Sequence, residues 1–356
     1  MITVREATSS AEYHPNELSV LSHFTQEWMY GDWQQSQGRH VRRFLIEKNG
    51  KVTGTFQMIR FNSSWPEGQY LYIPHGPVLH EELSPEESLT LKKYLEKIAD
   101  EENAFLVHFD IFPQKFPLRP ETEIFTPAPK YTESNTAFQP KYEWLVPLSG
   151  TEEDILKAMH PKTRYSVNLA LRKGVTVRKI YGAELLSYFN TFYELLSETS
   201  ARNHFGLHEK KYYEEIFKTA VTDPRCMLFV GSIDESVIAM HFVVCYGKIA
   251  FYPYGGSRND GRNSMTTYAL HFAAMREAKM LGCEFYNFGA VNAPGGEKTS
   301  WEKISEYKRR WGGEMITYAD ACDIIIDQKK YRQFLMFQKL SPLLRILSKL
   351  RKKLVH

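Results

Sequence analysis

The sequence has few cysteines, and the four present show no paired spacing (Cys226, Cys245, Cys283 and Cys322). Structural zinc sites and disulfide frameworks both need matched cysteine spacings, so neither is predicted, and a reducing compartment is indicated. A long hydrophobic run is also missing, and the first ten residues, MITVREATSS, already contain an acid. We therefore expect no signal peptide, no spanning segment and a cytoplasmic location.

A strong charge of either sign is missing as well, because the formal net charge is only +3. This is too small for a dedicated nucleic-acid-binding domain, so any function of the basic residues must be local. What the chain does have is length and apolar content, with 356 residues of which 43% are hydrophobic. These values predict two domains with sizeable cores rather than one.

The first half of the chain reads as one mixed unit of strands and a helix. Residues 42–61 predict a strand, a tight turn at Asn49-Gly50 and a second strand. The stretch YLYIPHGPVL follows, and then a helix over about residues 84–102 that begins with Ser-Pro. The short strand FLVHFDIFP, which contains Asp110, closes the unit.

The second half repeats this order. Residues 226–247 again read as strand, turn and strand, KIAFYPYGGS stands in the place of YLYIPHGPVL, and a predicted helix leads to a last strand. The spacing is also similar, with 36 residues from Pro74 to Asp110 and 34 from Pro253 to Asn287. Two copies of one α/β unit are favoured, and a chance recurrence of strand and helix is the alternative. We place the boundary near residue 147, before a helix that begins with TEED.

Two stretches combine a predicted helix start with anion-binding character. The stretch HPKTRY opens a helix with Lys162 and Arg164 in its first turn, where cations oppose the helix dipole unless an anion binds there. Residues 252–270, with Tyr254 and Ser257, form a glycine-rich turn between a strand and a helix. This turn lacks the Walker pattern and matches a coenzyme A loop only in part. For HPKTRY, the alternative is a solvated basic helix.

Residues 200–217 contain Arg202, His204, His208 and Tyr212. Two histidines four residues apart can bind a metal, but no third ligand stands at a useful spacing, so no metal is predicted. A polar loop over a cleft is favoured, since such loops often bind ligands.

The stretch SEYKRRWGGE, residues 305–314, holds three cations between two aromatic side chains and ends in a glycine pair. A lysine fixed by aromatic packing can present its ammonium to an oxyanion or a phosphate. The alternative is a helix end with its cations in solvent, stopped by the glycines. Spacing alone favours this alternative.

The last residues, 340–356, carry a leucine stripe surrounded by lysine and arginine. A basic amphipathic helix of this kind can lie on an anionic membrane surface, which would make the protein peripheral on the inner face of the membrane. Docking onto the protein itself or onto a partner is the alternative.

The order of HPKTRYSVNLALRKGV, SETSARNHF, YYEEIF, YPYGGS and YKRRWGGE resembles the Fem family over nearly the whole chain. This family consists of peptidoglycan bridge-forming aminoacyltransferases. The resemblance implies an α/β (α+β) fold of two tandem acetyltransferase-like (GNAT-like) domains with mixed β-sheets flanked by helices. The implied domains are residues 1–147 with about 318–356, and residues 148–317. Residues 200–235 leave no room for the helical hairpin arm of some relatives, so a compact form is expected.

The resemblance also implies roles for single residues. Lys308 matches a lysine that stabilises charge during transfer, Tyr307 matches its usual phenylalanine neighbour, and Asp110 matches a first-domain acid with a candidate catalytic role. Asn287 stands at the position of a typical acid, which excludes a general base there. The candidate substrate contacts are Lys162, Arg164, Arg202, His208, Tyr212, Tyr254, Ser257 and Arg39, and the candidate tRNA contacts are Arg309 and Arg310.

The implied reaction is transfer of an amino acid from aminoacyl-tRNA to an amine of the stem peptide of a peptidoglycan precursor, lipid-linked or UDP-linked. We expect no cofactor and no metal. An acyl-coenzyme A-dependent N-acyltransferase of the GNAT type and a non-catalytic scaffold for wall synthesis are the alternatives.

Overall fold

The computed structural model describes residues 2–19, 22–110, 126–127, 138–293, 295, 301–318 and 320–340. The chain forms two compact units, Met1–Lys141 with Tyr318–His356, and Tyr142–Thr317. The amphipathic helix predicted for the tail falls almost entirely on residues 341–356, which lie outside the described residues. It therefore stays a prediction.

The helices and strands follow in chain order. The first unit begins with β1 (Ile2–Glu6), α1 (Pro15–Leu18), α2 (Trp28–Ser36), β2 (Val41–Lys48), β3 (Lys51–Ser64), β4 (Glu67–Ile73), β5 (Val78–Leu79), α3 (Pro85–Glu101), β6 (Ala104–Phe109) and β7 (Thr126–Pro127). The second unit contains β8 (Tyr142–Pro147), α4 (Glu152–Ala158), α5 (Pro161–Arg172), β9 (Thr176–Ile180), α6 (Leu185–Asn203), α7 (Lys210–Ala220), β10 (Cys226–Ile233), β11 (Ser236–Tyr246), β12 (Ile249–Ser257), α8 (Thr266–Met280), β13 (Phe285–Ala290), α9 (Glu302–Arg309) and β14 (Glu314–Thr317). The chain then returns to the first unit with β15 (Cys322–Ile325) and a helix over residues 328–340, named α10.

Each unit contains one mixed sheet. The first has the strand order β1-β2-β3-β4-β6-β15-β7 with β5 beside β3, and the second has the order β14-β8-β13-β12-β11-β10-β9. In the first sheet β4 and β6 run parallel, in the second β12 and β13 do, and the other neighbours are antiparallel. The series β2-β3-β4-α3-β6 thus corresponds to β10-β11-β12-α8-β13, which confirms the predicted order of elements in both halves.

Local sequence signals account for several of the element starts. Asn49 and Gly50 adopt φ angles of 53° and 74°, as a tight hairpin turn between β2 and β3 requires. Ser84 and Thr151 each form a capping box, at the starts of α3 and α4. Pro161 opens α5, as predicted.

Helices cover each sheet and close a hydrophobic core. In the first unit the core includes Phe56, Leu91 and Val107, so α3 packs on the sheet. In the second it includes Leu270, Phe288 and Trp311, which come from α8, β13 and the end of α9. The burial of these apolar side chains is the main stabilising contribution to each unit.

The predicted boundary near Pro147 differs from the division into compact units. Residues 142–147 form β8, which lies between β13 and β14 in the second sheet, with Val146 opposite Tyr286 and Trp144 opposite Met315. Because β8 is hydrogen-bonded on both sides, the second unit begins at Tyr142.

Candidate active site

The parallel strands β12 and β13 diverge within the second unit. They pair only from Ile249 opposite Phe285 to Phe251 opposite Asn287. Beyond this point β12 continues beside β11 to Ser257, and β13 continues beside β8 to Ala290. Ligands of open α/β sheets bind outside the carboxyl ends of such strands. The divergence therefore marks the candidate site.

The parallel pair of the first unit behaves differently. β4 and β6 stay paired to their ends, with Ile73 opposite Phe109, and the Asp110 backbone N–H donates a further hydrogen bond to the Ile73 carbonyl at 3.2 Å. The two repeats thus share an architecture, but strand divergence of the kind described above occurs in the second.

Lys308 projects from the last turn of α9 to the end of β13. Its side chain is only 9% exposed, and Nζ donates a hydrogen bond to the Ala290 carbonyl at 2.7 Å. Burial lowers the pKa of Lys308 to about 8, and the Glu143 carboxylate opposes this decrease. A lysine with this pKa is still mainly charged at pH 7, so it can donate hydrogen bonds to an anionic oxygen.

Tyr307 precedes Lys308 and packs into the core. Its ring lies edge-on to Tyr268 at 5.2 Å and to Trp311 at 6.2 Å between ring centroids. Burial raises the pKa of its hydroxyl well above the ordinary value. This packing fixes the helix turn that carries Lys308. Tyr307 was predicted as part of a catalytic pair, and in the structure its ring packs against other aromatic side chains.

The glycine pair after this turn has a packing role as well as a stopping role. Gly312 and Gly313 have φ angles of 80° and 84°, which favour glycine. A Cβ on Gly313 would lie 2.1 Å from the Leu145 carbonyl oxygen, and one on Gly312 would lie 2.8 Å from the Ala158 carbonyl oxygen. The pair therefore lets the end of α9 approach β8 and α4 closely.

The arginines predicted as tRNA contacts both bind groups near their own helix. Arg309 donates to the Asn292 carbonyl at 3.1 Å and to Glu302 at 3.3 Å, which ties the segment after β13 to α9. Arg310 forms an ion pair with Glu306, one turn earlier. Their contact with tRNA stays a prediction.

Glu143 and Asn287 form a polar pair that sequence reasoning missed. Glu143, on β8, is 5% exposed and accepts a hydrogen bond from the Asn287 side-chain amide at 2.7 Å. The other end of that amide, Oδ1, accepts from the Gly289 backbone N–H at 2.7 Å. The only sequence signal for Glu143 is a single acid within the strand YEWLVP.

Three predicted substrate contacts lie together beside β12. The hydroxyl groups of Tyr212 and Tyr254 are 3.2 Å apart, and the His208 ring lies 4.1 Å from the Tyr212 ring. Both tyrosines are half-buried, whereas His208 is exposed. The structure thus assembles an aromatic surface from α7, the loop before it and β12.

Arg202 and Ser257 also meet, at the end of β12. Arg202 donates to Ser257 Oγ at 3.0 Å and to the Ser257 carbonyl at 3.1 Å. These contacts tie the last turn of α6 to β12. Both residues were predicted as substrate contacts, and here they position one another.

The two cations at the start of α5 differ in environment. Arg164 donates to the carbonyls of Leu156 and Lys157 at 3.1 and 3.2 Å, at the carboxyl end of α4. A cation suits this end of a helix dipole, which explains Arg164 without a bound anion. Lys162 is exposed.

The remaining predicted residues belong to the first unit. Asp110 is 3% exposed, accepts a hydrogen bond from the Tyr72 hydroxyl, and lies 3.5 Å from His108 Nε2. Arg39 donates to Gln34 Oε1 at 2.6 Å and lies over the Phe61 ring at 4.8 Å. Neither arrangement resembles a metal site, and within the described ranges no group of three or more metal-ligating side chains comes together.

In the part of the chain that the structure describes, no helix has both the length and the apolar character needed to cross a bilayer. Between residues 138 and 293, which are all described, the longest helix is α6 with 19 residues.

Comparisons with known proteins find similarity over most of the chain. A family model described as the FemAB family matches residues 129–234 and 231–339, more than half of the chain. A lipid II:glycine glycyltransferase of Staphylococcus epidermidis is 20% identical over 415 aligned positions, which cover 96% of this chain and 95% of the relative.

Solved structures show the same architecture. The crystal structure of FemX matches with a TM-score of 0.82 and 17% identity, covering 94% of this chain and 100% of that one. A tandem GNAT protein from the clavulanic acid biosynthesis pathway matches with a TM-score of 0.52 and 9% identity, covering 92% of this chain and 99% of that one. These matches confirm the predicted fold of two tandem GNAT-like domains.

Proposed function

The chain belongs to the FemAB family, and on this basis and the geometry around Lys308 we propose that it transfers an aminoacyl group from aminoacyl-tRNA to an amine of the stem peptide of a peptidoglycan precursor. The Staphylococcus epidermidis relative is named for glycine transfer to lipid II, which supports a precursor of this class as the acceptor.

The carrying observation is a buried lysine that binds the end of β13, just beyond the point where β12 and β13 diverge. The Lys308 ammonium has three donors, of which one binds the Ala290 carbonyl. A preorganised donor in a site with little water stabilises developing negative charge more strongly than the same donor in solution. Lys308 is therefore the proposed oxyanion-stabilising residue.

The reaction requires little other chemistry, because the ester of aminoacyl-tRNA is already activated. The precursor amine attacks the ester carbonyl, a C–N bond forms, and the carbonyl oxygen becomes an oxyanion facing Lys308. The ester C–O bond then breaks, and the released tRNA hydroxyl takes up the proton that the amine loses. Alignment of amine and ester supplies much of the remaining acceleration.

The aromatic surface formed by His208, Tyr212 and Tyr254 supports binding of one substrate beside β12. Its hydroxyl groups offer hydrogen bonds to a peptide or sugar, and its rings offer apolar contact. Arg202 then holds the end of β12 in place for that contact.

The test is a donor comparison with purified protein and a stem-peptide precursor, presented both as lipid II and as the nucleotide-linked form. Charged tRNA, uncharged tRNA and acetyl-coenzyme A are offered separately, and the product mass is measured. We expect the mass of one aminoacyl residue to be added with charged tRNA alone. Acetylation by acetyl-coenzyme A would instead indicate a GNAT-type acyltransferase, and precursor binding without transfer from any donor would indicate a scaffold.

Contact of residues 340–356 with an anionic lipid surface is part of the proposal. The sequence places basic side chains around a leucine stripe there, and a lipid-linked acceptor is presented at such a surface.

A further inference from the structure

Glu143 occupies an unusual position for an acid. It lies on β8, between two hydrogen-bonded neighbours, opposite Ala290 of β13 and Ile316 of β14. Its side chain is 5% exposed. Burial of a carboxylate is unfavourable unless hydrogen bonds or an opposite charge compensate for the lost hydration. The fold must therefore supply partners for this group.

Asn287 supplies the first partner, and its orientation is determined. The Gly289 backbone N–H can only donate, so the Asn287 atom that it contacts must be the amide oxygen. The amide nitrogen then faces Glu143 and donates to Oε2 at 2.7 Å. Oε2 of Glu143 therefore acts as a hydrogen-bond acceptor in this pair.

Lys308 supplies the opposite charge. Its ammonium binds the carbonyl of Ala290, the residue directly opposite Glu143 in the ladder between β13 and β8. Burial lowers the pKa of Lys308, and the Glu143 carboxylate acts against burial. His271 on α8 also faces Lys308, but burial lowers the pKa of His271 well below its ordinary value, so this ring is neutral. Tyr307 is neutral as well, because burial raises the pKa of its hydroxyl.

We propose that Glu143, held by Asn287, is a positioning residue that keeps the Lys308 ammonium charged and directed along the end of β13. This inference rests on the proposed function for its catalytic consequence. The placement of Glu143 opposite Ala290, whose carbonyl binds Lys308, is a property of the folded second unit. Asn287 thereby has a role although it cannot act as a base, since it orients the acid that accompanies the lysine.

The consequence for transfer is a particular pH dependence. Only the protonated lysine can stabilise an oxyanion, so the rate should fall as the pH rises through the pKa of Lys308, which is about 8. The Glu143 carboxylate raises the pKa of Lys308. Without this carboxylate, the alkaline decrease in rate should therefore begin at a lower pH.

The first measurement does not depend on transfer. Competitive labelling of lysine amines with an acylating reagent between pH 6 and 10, read by peptide mass spectrometry, gives the pKa of Lys308, with exposed Lys303 on the same helix as reference. Glu143→Gln should lower the pKa of Lys308, and each unit of decrease reduces its charged fraction about tenfold above that pKa. Glu152→Gln, which removes an exposed acid of the same unit, should leave the pKa of Lys308 unchanged.

Glu143→Asp separates charge from shape. It keeps the carboxylate but withdraws it by one methylene, so the pKa of Lys308 should fall less than with glutamine, and the transfer profile should return toward that of the wild type. If Glu143→Gln does not fold, as judged by circular dichroism, the aspartate variant still has to show a lowered pKa. An unchanged Lys308 pKa in folded Glu143→Gln overturns the inference, as does an unchanged value in Glu143→Asp when the glutamine variant does not fold.

The two measurements, the pKa of Lys308 and the pH profile of transfer, distinguish this inference from the proposed function. A lowered Lys308 pKa in Glu143→Gln, together with no transfer by the wild type, supports the pairing and contradicts the transfer. If the wild type transfers normally and the rate of Glu143→Gln decreases over the same alkaline pH range as that of the wild type, the pairing is contradicted and the proposed transfer is not.

Discussion

Replacement of His108 by glutamine should remove a pH-dependent part of the stability of the first unit. His108 lies on β6 and is fully buried. Its Nδ1 lies 2.7 Å from Asp323 of the returning strand β15, and its Nε2 lies 3.5 Å from Asp110. The Tyr331 hydroxyl donates to the second oxygen of Asp323 at 2.5 Å. A protonated His108 therefore bridges two buried acids and links β15 to β6.

The magnitude follows from the pKa of this ring. Burial acts to lower it, but the carboxylates of Asp110 and Asp323 raise the pKa of His108 from 6.5 to about 9. A difference of about 2.5 corresponds to about 3 kcal/mol of stability, at about 1.4 kcal/mol for each pKa unit. Because the folded state binds the proton more tightly, this stabilisation is fully present below pH 6.5 and is lost as the pH rises through about 9.

The assay is urea unfolding of the wild type and His108→Gln at several pH values from 6 to 9.5, followed by circular dichroism and intrinsic fluorescence because two units need not unfold together. The stability difference between the two proteins should shrink toward pH 9.5. His241→Gln is the matched control, since burial lowers the pKa of His241 to about 3 and this ring is neutral in the fold. The advantage of the wild type over His241→Gln should grow as the pH rises through 6.5. A His108 difference that does not vary with pH would refute the bridge.

Two further predictions concern packing and the tail. Gly313→Ala should lower the free energy of unfolding by more than about 1 kcal/mol relative to Gly174→Ala. A Cβ on Gly313 would lie 2.1 Å from the Leu145 carbonyl oxygen, whereas a Cβ on Gly174, also at positive φ, would have no atom within 4 Å. Equal urea midpoints for the two variants would contradict this prediction. Removal of residues 341–356 should abolish co-sedimentation with vesicles that contain anionic lipid, and undiminished sedimentation would show that the tail is not the membrane contact.

The elements that could be predicted are those with local signals. The Asn49-Gly50 pair determines a hairpin by its own backbone preferences, and Ser84 determines a helix start by its own side chain. The tandem architecture could also be predicted, because both halves show strand, turn, strand and helix patterns in the same order. The point where β12 and β13 stop pairing could not be predicted. It depends on tertiary structure, because beyond that point β12 stays paired with β11 and β13 stays paired with β8.

The candidate site shows where sequence patterns stop being informative. The sequence does not show whether a basic side chain binds a phosphate or a backbone carbonyl. Arg164 and Arg309 bind backbone carbonyls that only the tertiary structure brings near. Glu143 could not be predicted as a site residue, because a single acid in a strand gives no sequence pattern. Its partner Asn287 lies 144 residues further along the chain. The glycine pair at 312–313 was predicted to stop a helix, and its close approach to β8 became visible only in the fold.

The most direct test of the central claim is the transfer rate of Lys308→Met with charged tRNA and the precursor it extends, compared with Lys303→Met. Lys303 lies on the same helix but is exposed, so its variant controls for the loss of one positive charge from α9. Loss of a single oxyanion-stabilising donor typically reduces the rate about 10²- to 10³-fold. We predict a decrease of this size for folded Lys308→Met and a near-normal rate for Lys303→Met. A near-normal rate in folded Lys308→Met would contradict the claim that this lysine stabilises the transition state.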